Sequence, residues 1–237
     1  IAEKDLGGAL IFYITYLVIL YVSTRKESYL VLGTGALAAG AVLAYKLFYH
    51  VRVRVSAWKD PWSDVANKGY QVTQSLFAIG TGGWFGMGLY QGLPDKIPVV
   101  KQDFIFSAVS EELGGIFALC LIMVCFSCFL MFLNIAMQMK DQFYKLVALG
   151  LGTIYAFQVF LTIGGVTKFI PSTGVTLPLV SYGGSSLLSS MIIFAVIQGL
   201  YILREDEDEE IESQRKETFE RRGKRATPER TGYRQAP

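Results

Sequence analysis

Histidine is nearly absent from this sequence and cysteine is scarce: His50 stands alone, and Cys120, Cys125 and Cys128 are the only thiols. All three cysteines lie in one apolar run with no histidine or acidic neighbour at ligand spacing, so they read as small core or lipid-facing residues rather than a metal or redox site. His50, at a membrane boundary with no ligand partner in sequence, reads as an interfacial residue rather than a proton shuttle. Charge is also thin, 18% of 237 residues, and gathers around residues 50–103 and in the tail beyond Leu203. The net charge of +2 therefore carries little information about partners. The sequence opens on Ile1, and no basic segment or small-residue cleavage site precedes the first apolar run. The expectation is the C-terminal part of a longer membrane protein.

What is abundant is apolar. At 52% hydrophobic and 14% aromatic, with mean hydropathy +0.38, the chain is too apolar for a soluble domain, and its apolar residues come in runs rather than amphipathic stripes. The expected fold is all-α, a polytopic transmembrane helix bundle, with spans of about 20 residues near 6–22, 29–48, 114–137, 144–165 and 187–203. Arg25 and Lys26 follow the first span, Lys140 and Lys145 follow the third, and the tail from Arg204 carries both signs. The positive-inside rule makes these three regions cytoplasmic and puts 51–103 and 167–180 on the outer face. The outer loop holds bases too, but the rule applies to short loops.

That loop is no simple linker. Residues 69–88, GYQVTQSLFAIGTGGWFGMG, join an amphipathic stretch to a glycine cluster, which suits a helical segment in the interface followed by a close-packed turn. Glycine spacing leaves close packing and direct ligand binding level. Arg52 and Arg54 stand just ahead of Trp58, Asp60, Pro61 and Trp62, as cations beside interfacial aromatics. Asp103 sits at the transition from water to membrane, and carboxylates at such depth serve a function or have a partner. From residues alone Asp103 is either catalytic or the cap of the next helix, with Glu111 and Glu112 paired to nearby bases. Residues 169–187, FIPSTGVTLPLVSYGGSSL, place Pro171, Gly174 and Pro178 between two apolar segments. Broken backbone at membrane depth is tolerated where it is buried in protein or lines a wet cavity, which marks this segment as part of a binding site. Tyr182, Ser185 and Ser186 either shape the cavity wall or touch substrate.

In order, the motifs R-x-x-x-W-x-D-P-W, G-Y-Q-x-x-Q-S-L-x-A-I-G-x-G-G-x-x-G-x-G, D-F-I-F-S-x-x-x-E-E-L-G and P-S-T-G-V-T-L-P-L-V-S-Y-G-G-S-S-L resemble those of the SEDS family (shape, elongation, division and sporulation), the RodA/FtsW/SpoVE-type peptidoglycan glycosyltransferases. Asp5-Leu6-Gly7-Gly8-Ala9 is similar to the family's D-L-G-T-A segment, so the resemblance runs from Asp5 to about Leu203. It implies about ten spans, with roughly the first half absent here, and hence an inactive fragment. It also implies polymerisation of lipid II, the undecaprenyl-diphosphate-linked disaccharide pentapeptide, at the outer face of a bacterial cytoplasmic membrane. The acid of D-F-I-F, the family's catalytic residue, lands on Asp103, and Arg52, Arg54 and Lys101 are candidates for holding the departing diphosphate. Lys101-Gln102 stands where His-Thr often precedes the acid, which changes the neighbours that tune it.

The resemblance further implies a class B penicillin-binding protein transpeptidase as partner, besides lipid II and membrane lipid, and no nucleic acid. No residues point to a metal, and the sequence leaves a divalent cation as cofactor open. A lipid II flippase using the same cavity, or a non-catalytic scaffold for the transpeptidase, are the alternative functions. Elongation, division and sporulation are not separated. The charged tail, 204–237, is expected to be cytoplasmic and disordered, or at most transiently helical.

Overall fold

The computed structural model describes residues 5–226, of which the side chains at 210 and 219–226 are left aside. Seven helices run in chain order: α1 Leu6–Thr24, α2 Glu27–Leu47, α3 Tyr49–Lys59, α4 Tyr70–Gly82, α5 Ile105–Gln138, α6 Gln142–Val166 and α7 Gly184–Ala226, with 3-10 turns at Pro61–Asp64 and Pro94–Lys96. Among the described residues there is no strand, and five helices (α1, α2, α5, α6, α7) are long and apolar enough to cross a membrane.

Local chemistry sets the helix ends. Asp5 Oδ1 accepts the Gly8 N–H at 2.9 Å and starts α1, and Arg25, with φ 54, closes it by donating to Tyr21 O. Asp141 does the same for α6 by accepting the Phe143 N–H at 2.7 Å. Towards the end of the bundle that carries the α5–α6 turn, α5, α6 and α7 pack Phe132, Tyr155 and Phe194 edge to face, with centroids 5.1–5.6 Å apart. Nearer the opposite end a second core gathers Ala78 of α4, Phe104, Phe106 and Ala118 of α5 and its approach, and Val166 of α6. A polar rivet crosses it: Ser75 Oγ lies 2.7 Å from Ser107 Oγ and donates to Val166 O at 3.0 Å.

Helix α5 is broken at Gly114, whose φ of 86° and ψ of 171° belong to glycine alone. The break leaves backbone groups unpaired, and the glycine cluster takes them up. Met87 and Gly88 donate to Glu111 O and Glu112 O, while Gly115 and Ile116 donate to Gly83 O and Trp84 O. Gly82, Gly86 and Gly114 sit so close to the opposing backbone that a methyl group on any of them would collide with it. Between the two readings of this cluster, the geometry supplies the packing one. Glu111 is buried and takes the Leu93 N–H on Oε1 at 3.2 Å, rather than pairing with a base.

The tail departs from expectation. Helix α7 runs on without interruption from the last span to Ala226, where a disordered or at most transiently helical segment was expected from residue 204; residues 227–237 lie outside the described residues. From Leu203 to Glu220 no proline or glycine intervenes, and Glu, Lys, Arg and Gln are good helix formers. Local pairs add to this: Lys216 and Glu212 are 3.9 Å apart at i,i+4, and Tyr201 donates to Glu205 at 2.5 Å. Lys140, in the α5–α6 turn, grips Asp208 at 2.8 Å, and Arg204 donates to Gln138 Oε1.

Candidate functional site at one end of the bundle

Arg54 and Trp58 are four residues apart on α3 and so share a face. Both reach the connection between α6 and α7: Trp58 Nε1 donates to Lys168 O at 3.2 Å and Arg54 Nη1 to Thr173 O at 2.6 Å. Arg52, two residues off that face, lies 5.9 Å over the Tyr49 ring and does not join them. The connection itself leaves α6 through Lys168 (φ 62) and runs without regular structure through Pro171 to the turn before α7. Gly7 of α1 packs on Thr173 and Val175, where a larger residue would not fit.

Asp103 arrives from the other side, on the loop that leads into α5. Tyr182 N donates to Lys101 O at 2.7 Å and ties that loop to the turn before α7, and the fully buried Phe104 anchors the next position. Asp103 does not cap α5: Phe104 holds the cap position with no side-chain bond, and Asp103 Oδ1 is buried without a hydrogen-bond partner. The capping alternative is thereby set aside.

Gly174, with φ 77, lies between the two charged groups. A methyl group there would come within 3.2 Å of Arg54 Nη2 and 3.7 Å of Asp103 Oδ2. Burial pushes the Asp103 carboxyl above its ordinary range, against the opposing pull of its own backbone N–H and of the Arg54 guanidinium. Thr173 Oγ1, next to this point in the chain, is also buried without a partner. The arrangement offers a carboxylate with raised proton affinity, a guanidinium and an unpaired hydroxyl around a glycine that leaves room between them. Such a set can take a proton from a hydroxyl and stabilise developing negative charge.

The other expected site residues fall into place differently. Lys101 is exposed and enters the site through its backbone carbonyl. The Tyr182 ring is exposed, and its amide is the part in use. Ser186 Oγ lies 2.7 Å from Thr176 Oγ1, which engages it in holding the 171–177 segment, while Ser185 is exposed at the start of α7. Two polar residues inside α6 went unnoticed in the sequence: Gln158 Nε2 donates to Thr176 O at 3.0 Å and Thr162 Oγ1 donates to Val175 O at 2.9 Å. Their signal was present, as two hydrogen-bonding side chains one turn apart in an apolar run. Among the described residues no group of three or more His, Cys, Asp and Glu side chains could hold a metal ion.

A family model described as cell cycle protein, covering FtsW, RodA and SpoVE, matches residues 1–205. The chain belongs to this FtsW/RodA/SpoVE family. Peptidoglycan glycosyltransferase RodA of Mycobacterium tuberculosis is 45% identical over 195 residues, which is 82% of this chain and 42% of that protein. A probable peptidoglycan glycosyltransferase FtsW of Aliivibrio salmonicida is 33% identical over 201 residues, 82% of this chain and 50% of that protein. A solved peptidoglycan synthase complex, described for its structural coordination of polymerization and crosslinking, shares the fold with a TM-score of 0.69 and 26% identity over 85% of this chain and 57% of that one. The chain thus spans about half the length of the family relatives it matches.

Proposed function

We propose that this chain carries the catalytic carboxylate of a peptidoglycan glycosyltransferase that polymerises lipid II at the outer face of the cytoplasmic membrane. The observation that supports it best is Asp103: a half-buried carboxylate with an unpartnered oxygen and raised proton affinity, separated by Gly174 from the Arg54 guanidinium. Asp103 acts as the general base, removing the proton from the acceptor sugar hydroxyl as it attacks the anomeric carbon. Arg54 stabilises the departing diphosphate, with the exposed Lys101 ammonium as a second cation at the edge of the site, while Thr173 and the Tyr182–Ser186 turn line the wall. Arg52, held over Tyr49, serves as an outer approach for the anionic headgroup.

The bases of the short connections, Arg25, Lys26, Lys140 and Lys145, favour the orientation by the positive-inside rule. Arg54, Trp58, Lys101, Asp103, Lys168 and Tyr182 lie together at one end, while Gln138, Lys140, Arg204 and Asp208 lie together at the other, so a cytoplasmic Lys140 turn and tail would put the site on the outer face. The complex in which polymerization and crosslinking are coordinated supports a transpeptidase of the class B penicillin-binding type as partner. The deciding experiment is glycan formation from labelled lipid II by the complete gene product in detergent, where there is no bilayer to cross. Product shows polymerisation; its absence, alongside lipid II translocation in vesicles, would leave the flippase reading in its place.

A further inference from the structure

Gln158 and Thr162 play no part in the reaction as proposed above, yet both spend their hydrogen-bonding capacity on the segment that carries Gly174. Residues 171–177 lie in no helix or strand, and although Leu177 O is taken up by the amides of Val180 and Ser181, the carbonyls before it have no regular ladder, where an unpaired carbonyl at membrane depth is strongly unfavourable. Gln158 and Thr162, one turn apart on α6, meet the carbonyls of Thr176 and Val175 in turn. Thr162 Oγ1 also lies 2.9 Å from Gln158 O within its own helix, so its one proton is shared between a local acceptor and the segment. The far end of the segment is pinned as well, by Leu177 N donating to Ser181 Oγ at 2.8 Å and by the Thr176–Ser186 hydroxyl pair. Directly upstream the same segment offers Thr173 O to Arg54 and holds Gly174 between Arg54 and Asp103. In extended chain a one-residue slip is about 3.3 Å, as large as the 3.2 Å that separates Arg54 Nη2 from the methyl position of Gly174.

We propose that Gln158 and Thr162 are positioning residues of the site: they set the register of the 173–177 segment and, through it, the spacing of Arg54 from Asp103. The kinetic consequences rest on the general-base reading of Asp103; the structural ones do not. Of Asp5, which accepts the Gly8 N–H at the start of α1, the exposed Lys101, and Arg54, it is Arg54 whose field acts on the Asp103 carboxyl.

The test uses the complete gene product with Gln158→Leu, Thr162→Val and Thr162→Ser, read by glycan formation from labelled lipid II across pH and by amide exchange of residues 173–177. Thr162→Val and Gln158→Leu should lower kcat by about ten- to a hundredfold, as a small misplacement of catalytic groups does, with KM little changed. The acid limb of the kcat/KM profile should move to higher pH, in the direction given by Arg54→Gln, because a retreating guanidinium no longer holds the Asp103 proton affinity down. Thr162→Ser, which keeps the hydroxyl, should return to near the parent rate and profile. Amides 173–177 should exchange faster in the Val and Leu variants only. A parental pH profile, with activity lost only in proportion to folded protein, would overturn the inference, and so would unchanged exchange. If Asp103→Asn stays active the general-base reading falls by itself, and amide exchange then decides the register claim alone.

Discussion

Asp103 combines two properties that pull against each other. Its burial raises the proton affinity of the folded chain, which suits a base working near neutral pH but destabilises the ionised state. The sign follows from linkage: a carboxyl whose folded pKa is above its unfolded one favours folding at acid pH. That contribution is lost as pH rises from the ordinary value of 3.8 through the raised folded one. Asp103→Asn should therefore melt slightly higher than the parent at neutral pH, with the gap closing towards pH 3.8, as thermal unfolding of detergent-purified protein would measure. The same variant should lose about two to four orders of magnitude in glycan synthesis. Activity within a few-fold of the parent would exclude the base role. Gly174→Ala tests the space between the charged groups: its φ of 77 costs an L-residue about 1–2 kcal/mol, and its methyl would crowd Arg54. It should cut activity by at least about tenfold without preventing membrane insertion, checked by fractionation and rate assay.

At the level of elements, the decisive device is the reciprocal exchange of hydrogen bonds between the broken α5 and the 83–88 turn. Gly114→Ala places an L-residue in a glycine-only conformation against the backbone of Phe85 and Gly86, and should destabilise the protein by about 3 kcal/mol or more, seen as a lowered thermal midpoint. The glycine run was legible in the sequence as a close turn, but its role was not, because packing and ligand binding demand the same small residue and differ only in what lies opposite. Helix α7 presents the reverse case. Its charged half was read as disordered or at most transiently helical on the sound ground that it buries no core, yet a helix already nucleated by a membrane span needs no core to continue. Spin labels moved one residue at a time through 204–218 should report accessibility with a 3.6-residue period, lowest where the chain faces Lys140. A flat profile would restore the disordered tail.

Across the whole molecule, contacts separate by end rather than by sequence neighbourhood. Trp58 and Lys168 are 110 positions apart and share a hydrogen bond, as do Lys140 and Asp208 at 68. Orientation in the membrane follows from which end faces out. With the native cysteines replaced, a cysteine at Ser63 should react with a membrane-impermeant maleimide in intact cells, and one at Gln214 should not. The opposite labelling would invert the active face.

The all-α class and the apolar runs were readable from composition and run length, and motif order drew attention to Asp103, Arg54 and the 169–187 segment, because hydropathy and broken backbone leave their mark on local sequence. Tertiary structure alone decided that Arg54 rather than Arg52 meets Thr173, that Ser186 braces the segment through Thr176, and that Gln158 and Thr162 hold its carbonyls. Each of those outcomes depends on which helix face meets which loop. A partner more than ten residues away leaves no trace in the spacing of a single sequence, since the hydrogen bond is a property of two segments and only their packing brings the second one near.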